Sequence, residues 1–163
     1  MSELNKKVTF KDLYNELDNK INKNLKYVND YGWFKWTGKL WITASPNELE
    51  LYIADWLGDE FNPSSVRKFY DSFKLYNTLN IDFLNNNKNR IAFRNGTFNI
   101  KDFTFEENIW YKENYNTTGF SFDYNENAEC ELYLKYLNET FSNEQELVDI
   151  VNEMMGYCLL SDC

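Results

Sequence analysis

A segment rich in aromatic and basic residues has the composition of a surface that binds single-stranded nucleic acid. Bases stack on aromatic rings, and lysine ammonium groups attract the phosphates between them. The segment spans residues 31–42 and contains Trp33, Lys35, Trp36, Lys39 and Trp41. It predicts a nucleic-acid contact. The alternative is that the tryptophans form a hydrophobic core and the lysines are only solvated, because one face of a strand pair points inward.

Further cations follow the aromatic segment and extend the predicted contact. Arg67, Lys68 and Lys74 lie on the polar side of a predicted helix, and Arg90 and Arg94 flank a predicted strand. Such side chains bind the phosphate backbone and carry little base specificity. We therefore predict a binding surface that combines the aromatic segment with these five cations.

The types of residue present exclude most catalytic chemistry. The chain has no histidine, and its three cysteines show no CxxC spacing. Zinc sites built from Cys and His, and nucleophile pairs that require His, are therefore excluded. Neighbouring carboxylates such as Asp59-Glu60 and Glu106-Glu107 point in different directions along a helix or a strand. We expect no catalytic residue, no metal site and no cofactor.

The charge changes sharply along the chain. Residues 1–100 contain 14 basic and 12 acidic residues, whereas residues 101–163 contain 3 basic and 14 acidic residues. An acidic half with a net charge of −11 repels phosphate backbones. We therefore predict that any nucleic-acid contact lies within the first hundred residues and that the acidic half faces protein or water.

Hydrophobic periodicity and turn signals predict an α+β fold that is mainly helical, with short β-hairpins. Turns at Thr37-Gly38 and Asn95-Gly96 predict two hairpins, and residues 104–111 and 120–124 are candidates for irregular or edge strands. The predicted helices span residues 9–23, 45–57, 62–76 and 127–141, with a last helix from residue 142.

Capping signals and apolar stripes refine these helices. Ser45 with Glu48, and Ser142 with Gln145, have the spacing of a capping box, and Gly58 is a predicted C-cap. Two apolar stripes near the end of the chain are predicted to lie in the core, with a subunit contact as the alternative. The stripes are Leu132 with Tyr136, and Leu147 with Ile150 and Met154.

An Asn-rich run at residues 85–89 is the predicted boundary between two parts of the chain. Residues 1–84 are predicted to form a helical subdomain with the aromatic hairpin. Residues 85–163 are predicted to form a hairpin followed by helices. A single compact domain is the alternative.

Five segments, taken in order, resemble motifs of one known domain. Residues 33–41 resemble its aromatic opening hairpin, and residues 90–100 resemble its second hairpin, which contains Asn-Gly. Residues 120–125 are similar to its aromatic-x-Tyr-Asp segment, residues 129–141 to its Cys-x-x-aromatic helix, and residues 156–159 to its Gly-Tyr-x-Leu ending. The domain precedes the motor of phage, plasmid and poxvirus-type primase-helicases, whose motors belong to superfamily three.

The resemblance implies a non-catalytic DNA-replication module that helps to assemble a helicase ring or to position DNA. Its implied partners are the helicase motor, single- or double-stranded DNA, and further copies of the parent protein in a ring on which the domain sits as a collar. None of the six glycines lies in a G-x-x-x-x-G-K-[ST] phosphate loop. We therefore expect no ATP hydrolysis by these residues, which are either part of a longer protein or a naturally short relative.

A second interpretation comes from the acidic half. A free-standing interaction protein of a mobile element would use this surface to bind a replication protein, in the manner of a DNA mimic. No apolar run reaches the length of a membrane span, and the first residues lack the apolar core of a signal peptide. We expect a cytoplasmic protein with no membrane partner.

Overall fold

The computed structural model describes residues 9–17, 22–60 and 62–159. The chain divides into two compact units. The first unit comprises Met1–Asn86 and Trp110–Thr118, and the second comprises Asn87–Ile109 and Gly119–Cys163. Helices and two small sheets occur together, which confirms the predicted α+β class. The predicted subdomains, 1–84 and 85–163, stay a prediction.

The described part of the first unit contains three helices and one sheet. The helices are α1 (Phe10–Leu17), α2 (Pro46–Leu57) and α3 (Pro63–Tyr76). The strands are β1 (Leu25–Val28), β2 (Gly32–Trp36), β3 (Trp41–Ala44) and β4 (Thr78–Leu79). The sheet order is β3-β2-β1-β4, in which β1 is antiparallel to β2 and parallel to β4. Since Trp36 pairs with Trp41 across the predicted turn, the aromatic hairpin is confirmed.

Both faces of this sheet are covered, and the alternation of side chains along β2 explains how. Trp33 lies on one face and packs with α2 and α3, where Leu49, Ile53 and Phe73 are buried. Phe34 lies on the other face, in a second cluster. That cluster contains Val28, Phe34 and Trp41, with Trp36, Leu79, Leu84 and Tyr115 packed against it. Successive strand residues point to opposite faces, so one strand contributes to two cores.

The helix boundaries follow their capping residues. Ser45 accepts a hydrogen bond from the Asn47 amide at 3.3 Å at the start of α2, and Gly58 ends that helix at φ 49°. Asn62 caps α3 in the same way through the Ser65 amide at 2.8 Å. In a capping box the Glu48 carboxylate would accept a hydrogen bond from the Ser45 amide. In the structure it accepts hydrogen bonds from Lys35.

The predicted first helix is shorter in the structure. Thr9 caps it, since its hydroxyl accepts from the Asp12 amide at 3.3 Å and its own amide donates to the Asp12 carboxylate at 3.0 Å. α1 then ends at Leu17. Residues 18–21 of the predicted helix lie outside the described residues, and residues 22–24 form a 3-10 turn.

The second unit contains an antiparallel sheet of β5 (Arg90–Phe93), β6 (Gly96–Asn99) and β7 (Thr104–Glu107), in that order. Residues 120–124, predicted as an irregular or edge strand, do not form a regular strand. That segment nevertheless follows β5, because the Phe120 amide donates to the Ala92 carbonyl at 2.8 Å and the Arg94 amide donates to the Phe122 carbonyl at 3.1 Å.

The second hairpin is confirmed, with its loop shifted by one residue from the prediction. Phe93 pairs with Gly96, so Arg94 and Asn95 form the two-residue loop. Glycine is required at position 96 because of a close backbone contact, and not because of a turn conformation. A Cβ atom at this position would lie 2.2 Å from the Glu106 carbonyl oxygen, so only glycine allows β7 to pair here.

The end of the described chain forms helices α4 (Glu131–Thr140) and α5 (Gln145–Tyr157). The predicted capping box at Ser142 is wrong, because Glu144 is the N-cap residue and Ser142 lies in the loop at φ 53°. The predicted core stripes are also wrong. Leu137 and Val148 are buried, whereas all five stripe residues are exposed, namely Leu132, Tyr136, Leu147, Ile150 and Met154. The two helices are joined by a hydrogen bond from the Tyr133 hydroxyl to the Asn152 side-chain oxygen at 3.1 Å.

Candidate nucleic-acid interface

The tryptophans of the aromatic segment belong to the core of the first unit. Trp33 is 2% exposed and its indole Nε1 donates to the Tyr70 hydroxyl at 2.8 Å. Trp41 is 1% exposed, and its Nε1 donates to the Lys112 carbonyl at 2.8 Å. Trp36 is half-buried, with its ring centroid 5.8 Å from that of Trp41. The rings of Trp33 and Trp41 therefore present no open face on which a base could stack.

The two lysines of the segment interact within the first unit. Lys35 Nζ lies 3.0 Å and 3.1 Å from the two carboxylate oxygens of Glu48. Lys39 Nζ lies 4.4 Å from the ring centroid of Trp110, which is a cation–π contact. A phosphate would compete with a carboxylate at Lys35 and with an aromatic ring at Lys39.

The three cations of α3 lie in different surroundings. Arg67 and Lys68 are exposed. Arg67 lines a groove of about 760 Å³, whose wall also includes Leu51 and Asp71. Lys74 Nζ lies 4.3 Å from the ring centroid of Tyr27, and a hydrogen bond to that side chain raises the pKa of Lys74. Arg67 and Lys68 are therefore the α3 cations best placed to meet a phosphate.

The predicted arginines of the second unit face carboxylates. Arg94 donates to both oxygens of Asp123, from Nε at 2.8 Å and from Nη2 at 2.6 Å. This bidentate hydrogen bonding raises the pKa of Arg94. Arg90 Nη1 lies 3.7 Å from the Glu106 carboxylate. Both guanidinium groups therefore already interact with a carboxylate, which a phosphate would have to displace.

The structure brings together three lysines that the sequence reasoning did not connect. Lys23, Lys26 and Lys112 line a pocket of about 310 Å³, together with Trp41, Glu113 and Tyr115. We refer to it as the lysine pocket. Lys112 lies in the acidic half of the sequence, far along the chain from the other two. No local signal could have found it, because the return of residues 110–118 to the first unit is a feature of the tertiary structure.

A family model described as D5 N terminal like matches residues 9–142, most of the chain. The chain belongs to this family. The family is the amino-terminal domain of D5-like primase-helicases, which confirms the resemblance inferred from the motifs. No curated protein matches the sequence.

Membership of the D5 N terminal like family associates the chain with DNA replication by primase-helicases, and this domain alone is not catalytic in that family. The match covers α1 to α4 and ends before α5. The Gly-Tyr-x-Leu resemblance at residues 156–159 lies beyond the match and stays a prediction.

Two structural findings bear on partners of this D5 N terminal like domain. Among residues 9–17, 22–60 and 62–159, no three His, Cys, Asp or Glu side chains converge on a position that would hold a metal ion. None of the helices in those same ranges has the length and hydropathy needed to cross a bilayer.

Proposed function

We propose that the first unit positions DNA for the motor of a phage, plasmid or other mobile-element primase-helicase. The observation that carries the proposal is the division of charge between the two units. The first unit has 12 basic and 13 acidic residues, whereas the second has 5 basic and 13 acidic residues. Net charges of −1 and −8 make the first unit the one that a phosphate backbone can approach.

The proposed contact includes fewer residues than the surface predicted from the sequence. Trp33 and Trp41 stabilise the fold from within the core. Arg67 and Lys68 are neighbouring exposed cations on α3 and are the primary phosphate contacts of the proposal. Lys35 and Lys39 are secondary contacts, since each would first leave an intramolecular partner.

A charge-reversal experiment tests this proposal. The variant Arg67→Glu/Lys68→Glu is compared with wild type for binding of a short labelled DNA strand at several salt concentrations. We expect the affinity at low salt to fall. We also expect the slope of log K against log salt, which is negative, to decrease in magnitude by about 1.4, since each phosphate contact on a single strand contributes about 0.7.

A matched control separates local contacts from net charge. The variant Lys88→Glu/Lys101→Glu reverses two exposed cations of the second unit and changes the net charge by the same amount. We expect it to bind DNA with nearly the affinity of wild type. Equal losses in both variants would contradict a localised contact. Lys35→Glu is a poorer choice, because it would place two carboxylates together beside α2.

The second unit is proposed to face protein, in keeping with ring assembly on a helicase motor. Its net charge and the exposed stripes of α4 and α5 support this role. Size-exclusion chromatography with light scattering tests whether the domain assembles by itself. A mass above one chain that falls to one chain in the variant Leu132→Ser/Met154→Ser would support assembly through these helices. A mass that both proteins share would oppose it.

The acidic surface also favours a second candidate function, a protein that binds a replication protein in the place of DNA. DNA binding discriminates the two candidates, because a DNA mimic is not expected to bind DNA at any salt concentration. Wild type that binds labelled DNA with a salt-dependent affinity supports the first function, and wild type that shows no binding at low salt supports the second.

A further inference from the structure

The lysine pocket is built by three separate parts of the chain. Lys23 lies in the 3-10 turn at residues 22–24, Lys26 lies in β1, and Lys112 begins the 3-10 turn at residues 112–114. The last segment is attached to the sheet through Trp41, whose indole donates to the Lys112 carbonyl and whose amide donates to the Asn116 carbonyl at 2.8 Å. The pocket is therefore held in place by a buried aromatic ring.

The side chain of Lys112 is held in a fixed position. Its Nζ donates a hydrogen bond to the Asn24 side-chain oxygen at 2.8 Å, and it lies 5.9 Å from the ring centroid of Trp41. An amide oxygen orients the ammonium group without neutralising it. The positive charge therefore stays available to a ligand.

The ammonium groups of Lys23 and Lys26 repel that of Lys112. Burial lowers the pKa of Lys112, and the charges of Lys26 and Lys23 lower it further. Glu113 is the carboxylate among the described residues that line the pocket. The ammonium groups of Lys26 and Lys112 by themselves outweigh its one negative charge, and an anion would neutralise the excess.

We propose that the lysine pocket binds a phosphate group of a nucleic-acid strand. The inference rests on the proposed function and adds the site at which the strand is anchored. Lysine binds phosphate as a point charge. It therefore does not need the planar, bidentate geometry through which arginine binds carboxylates and phosphates.

An aromatic surface beside the pocket favours a single strand as the source of the phosphate. Tyr115 lines the pocket, and the ring centroid of Phe83 lies 6.5 Å from that of Tyr115. Phe83 is 49% exposed, unlike the tryptophans of the hairpin. A base next to the bound phosphate can stack on an exposed ring, which is the mode of sequence-independent binding to single strands. A mononucleotide offers the same phosphate chemistry, and the experiment separates the two sources.

The test uses Lys23→Gln/Lys26→Gln in the whole chain, since both side chains can be neutralised without removing the Asn24–Lys112 hydrogen bond. The matched comparison is Arg67→Gln/Lys68→Gln, which removes the same charge from α3. With a labelled single strand, we expect each double variant to lose roughly 10- to 60-fold in affinity at about 50 mM salt. The magnitude of the slope of log K against log salt is expected to fall by about 1.4. A mononucleotide is expected to bind wild type more weakly than the strand does.

A second measurement reports the pocket directly. The NMR signal of Lys112 Cε, the carbon bonded to Nζ, is followed during titration with inorganic phosphate, with sodium chloride at equal ionic strength as a control for screening. Phosphate is expected to shift this signal and to raise the pKa of Lys112 in wild type. The shift is expected to be unchanged in Arg67→Gln/Lys68→Gln and lost in Lys23→Gln/Lys26→Gln.

The outcomes separate this inference from the proposed function. If the pocket variant binds the strand like wild type while the α3 variant is impaired, the pocket inference is overturned and the proposed function stands. If no protein binds the strand but phosphate shifts Lys112 only when Lys23 and Lys26 are present, the proposed function fails and a site for free phosphate or a mononucleotide remains. If phosphate shifts Lys112 equally in all variants, the site is rejected.

Discussion

The helices of the two units have similar apolar periodicity, but the fraction of their apolar side chains that is buried differs greatly. In the first unit, α2 and α3 lie on a sheet and bury Leu49, Ile53 and Phe73 almost completely. In the second unit, Leu137 of α4 and Val148 of α5 are buried, whereas Leu132 is 85% exposed. Periodicity predicts which side of a helix is apolar. It does not predict whether another element of the same unit covers that side.

The two sheets also differ in how much hydrophobic core covers them. The four-stranded sheet of the first unit has a hydrophobic cluster on each face. The second unit relies on aromatic rings around Phe93, which contacts Phe105, Phe120, Phe122 and Tyr124 within its own unit. We therefore expect the first unit to be the more stable of the two. All five tryptophans belong to the first unit, so tryptophan fluorescence reports its unfolding alone.

The largest expected effect is the loss of a core ring in the first unit. Phe73 is 1% exposed and contacts Phe10 and Tyr14 of α1. We expect Phe73→Ala to lower the free energy of unfolding of this unit by about 3–5 kcal/mol, because the ring leaves a cavity that its neighbours fill only partly. Denaturant titration followed by tryptophan fluorescence measures it. A change below 1 kcal/mol would contradict the assigned core.

The next effect concerns a glycine in the second unit. We expect Gly96→Ala to cost about 3 kcal/mol, because its Cβ atom would overlap the backbone of β7. Gly38 in the first unit offers the comparison, since its surroundings are open but its φ is 97°. Gly38→Ala is expected to cost about 1–2 kcal/mol from backbone strain alone. Hydrogen exchange of the β6 and β7 amides would show local opening in the first variant and none in the second.

A smaller effect is expected at two asparagines with equivalent roles. Asn95 exchanges two hydrogen bonds with the Tyr124 backbone, at 2.8 Å and 3.0 Å. Asn85 exchanges two with Thr117, at 2.7 Å and 2.8 Å. Each Asn→Ala variant is expected to cost about 1–2 kcal/mol, since one side chain holds a returning segment by two hydrogen bonds. Only Asn85→Ala should shift the fluorescence transition, and a shift in both would show that the units unfold together.

The smallest effect is expected on the exposed face of α4 and α5. Leu132→Ser and Met154→Ser remove side chains that contribute little to the core, so each should change stability by about 0.5 kcal/mol or less. Circular dichroism during thermal unfolding checks this. A loss above 2 kcal/mol in the monomer would show that this face is covered by another part of the chain and would remove the contrast between the units.

Local signals predicted the elements whose causes are local. Asn-Gly predicted the second hairpin, and the spacing of Ser45, Pro46 and Gly58 predicted the limits of α2. Two local signals failed. Gly96 is needed for the approach of β7 and not for the turn, and Ser142 lies in the loop before α5, whose N-cap residue is Glu144.

The candidate site was less predictable than the fold. Trp33 and Trp41 have the composition of a base-stacking surface, but burial on both faces of a sheet makes them core residues. Lys112 lies in the acidic half of the sequence, whose charge predicts no contact with nucleic acid. Its distance along the chain from Lys23 and Lys26 leaves no periodic pattern that joins them.

The sequence alone therefore determined the family, the α+β class, the aromatic hairpin and the concentration of negative charge in the later half, because these depend on composition and on residues within a few positions. Only the tertiary structure decided which aromatic rings are buried, which helix faces stay exposed and which cations meet. The physical reason is that burial and electrostatic interaction depend on distance in space. In this chain, residues 110–118 return to the first unit and place Lys112 beside two lysines that precede it by most of the domain.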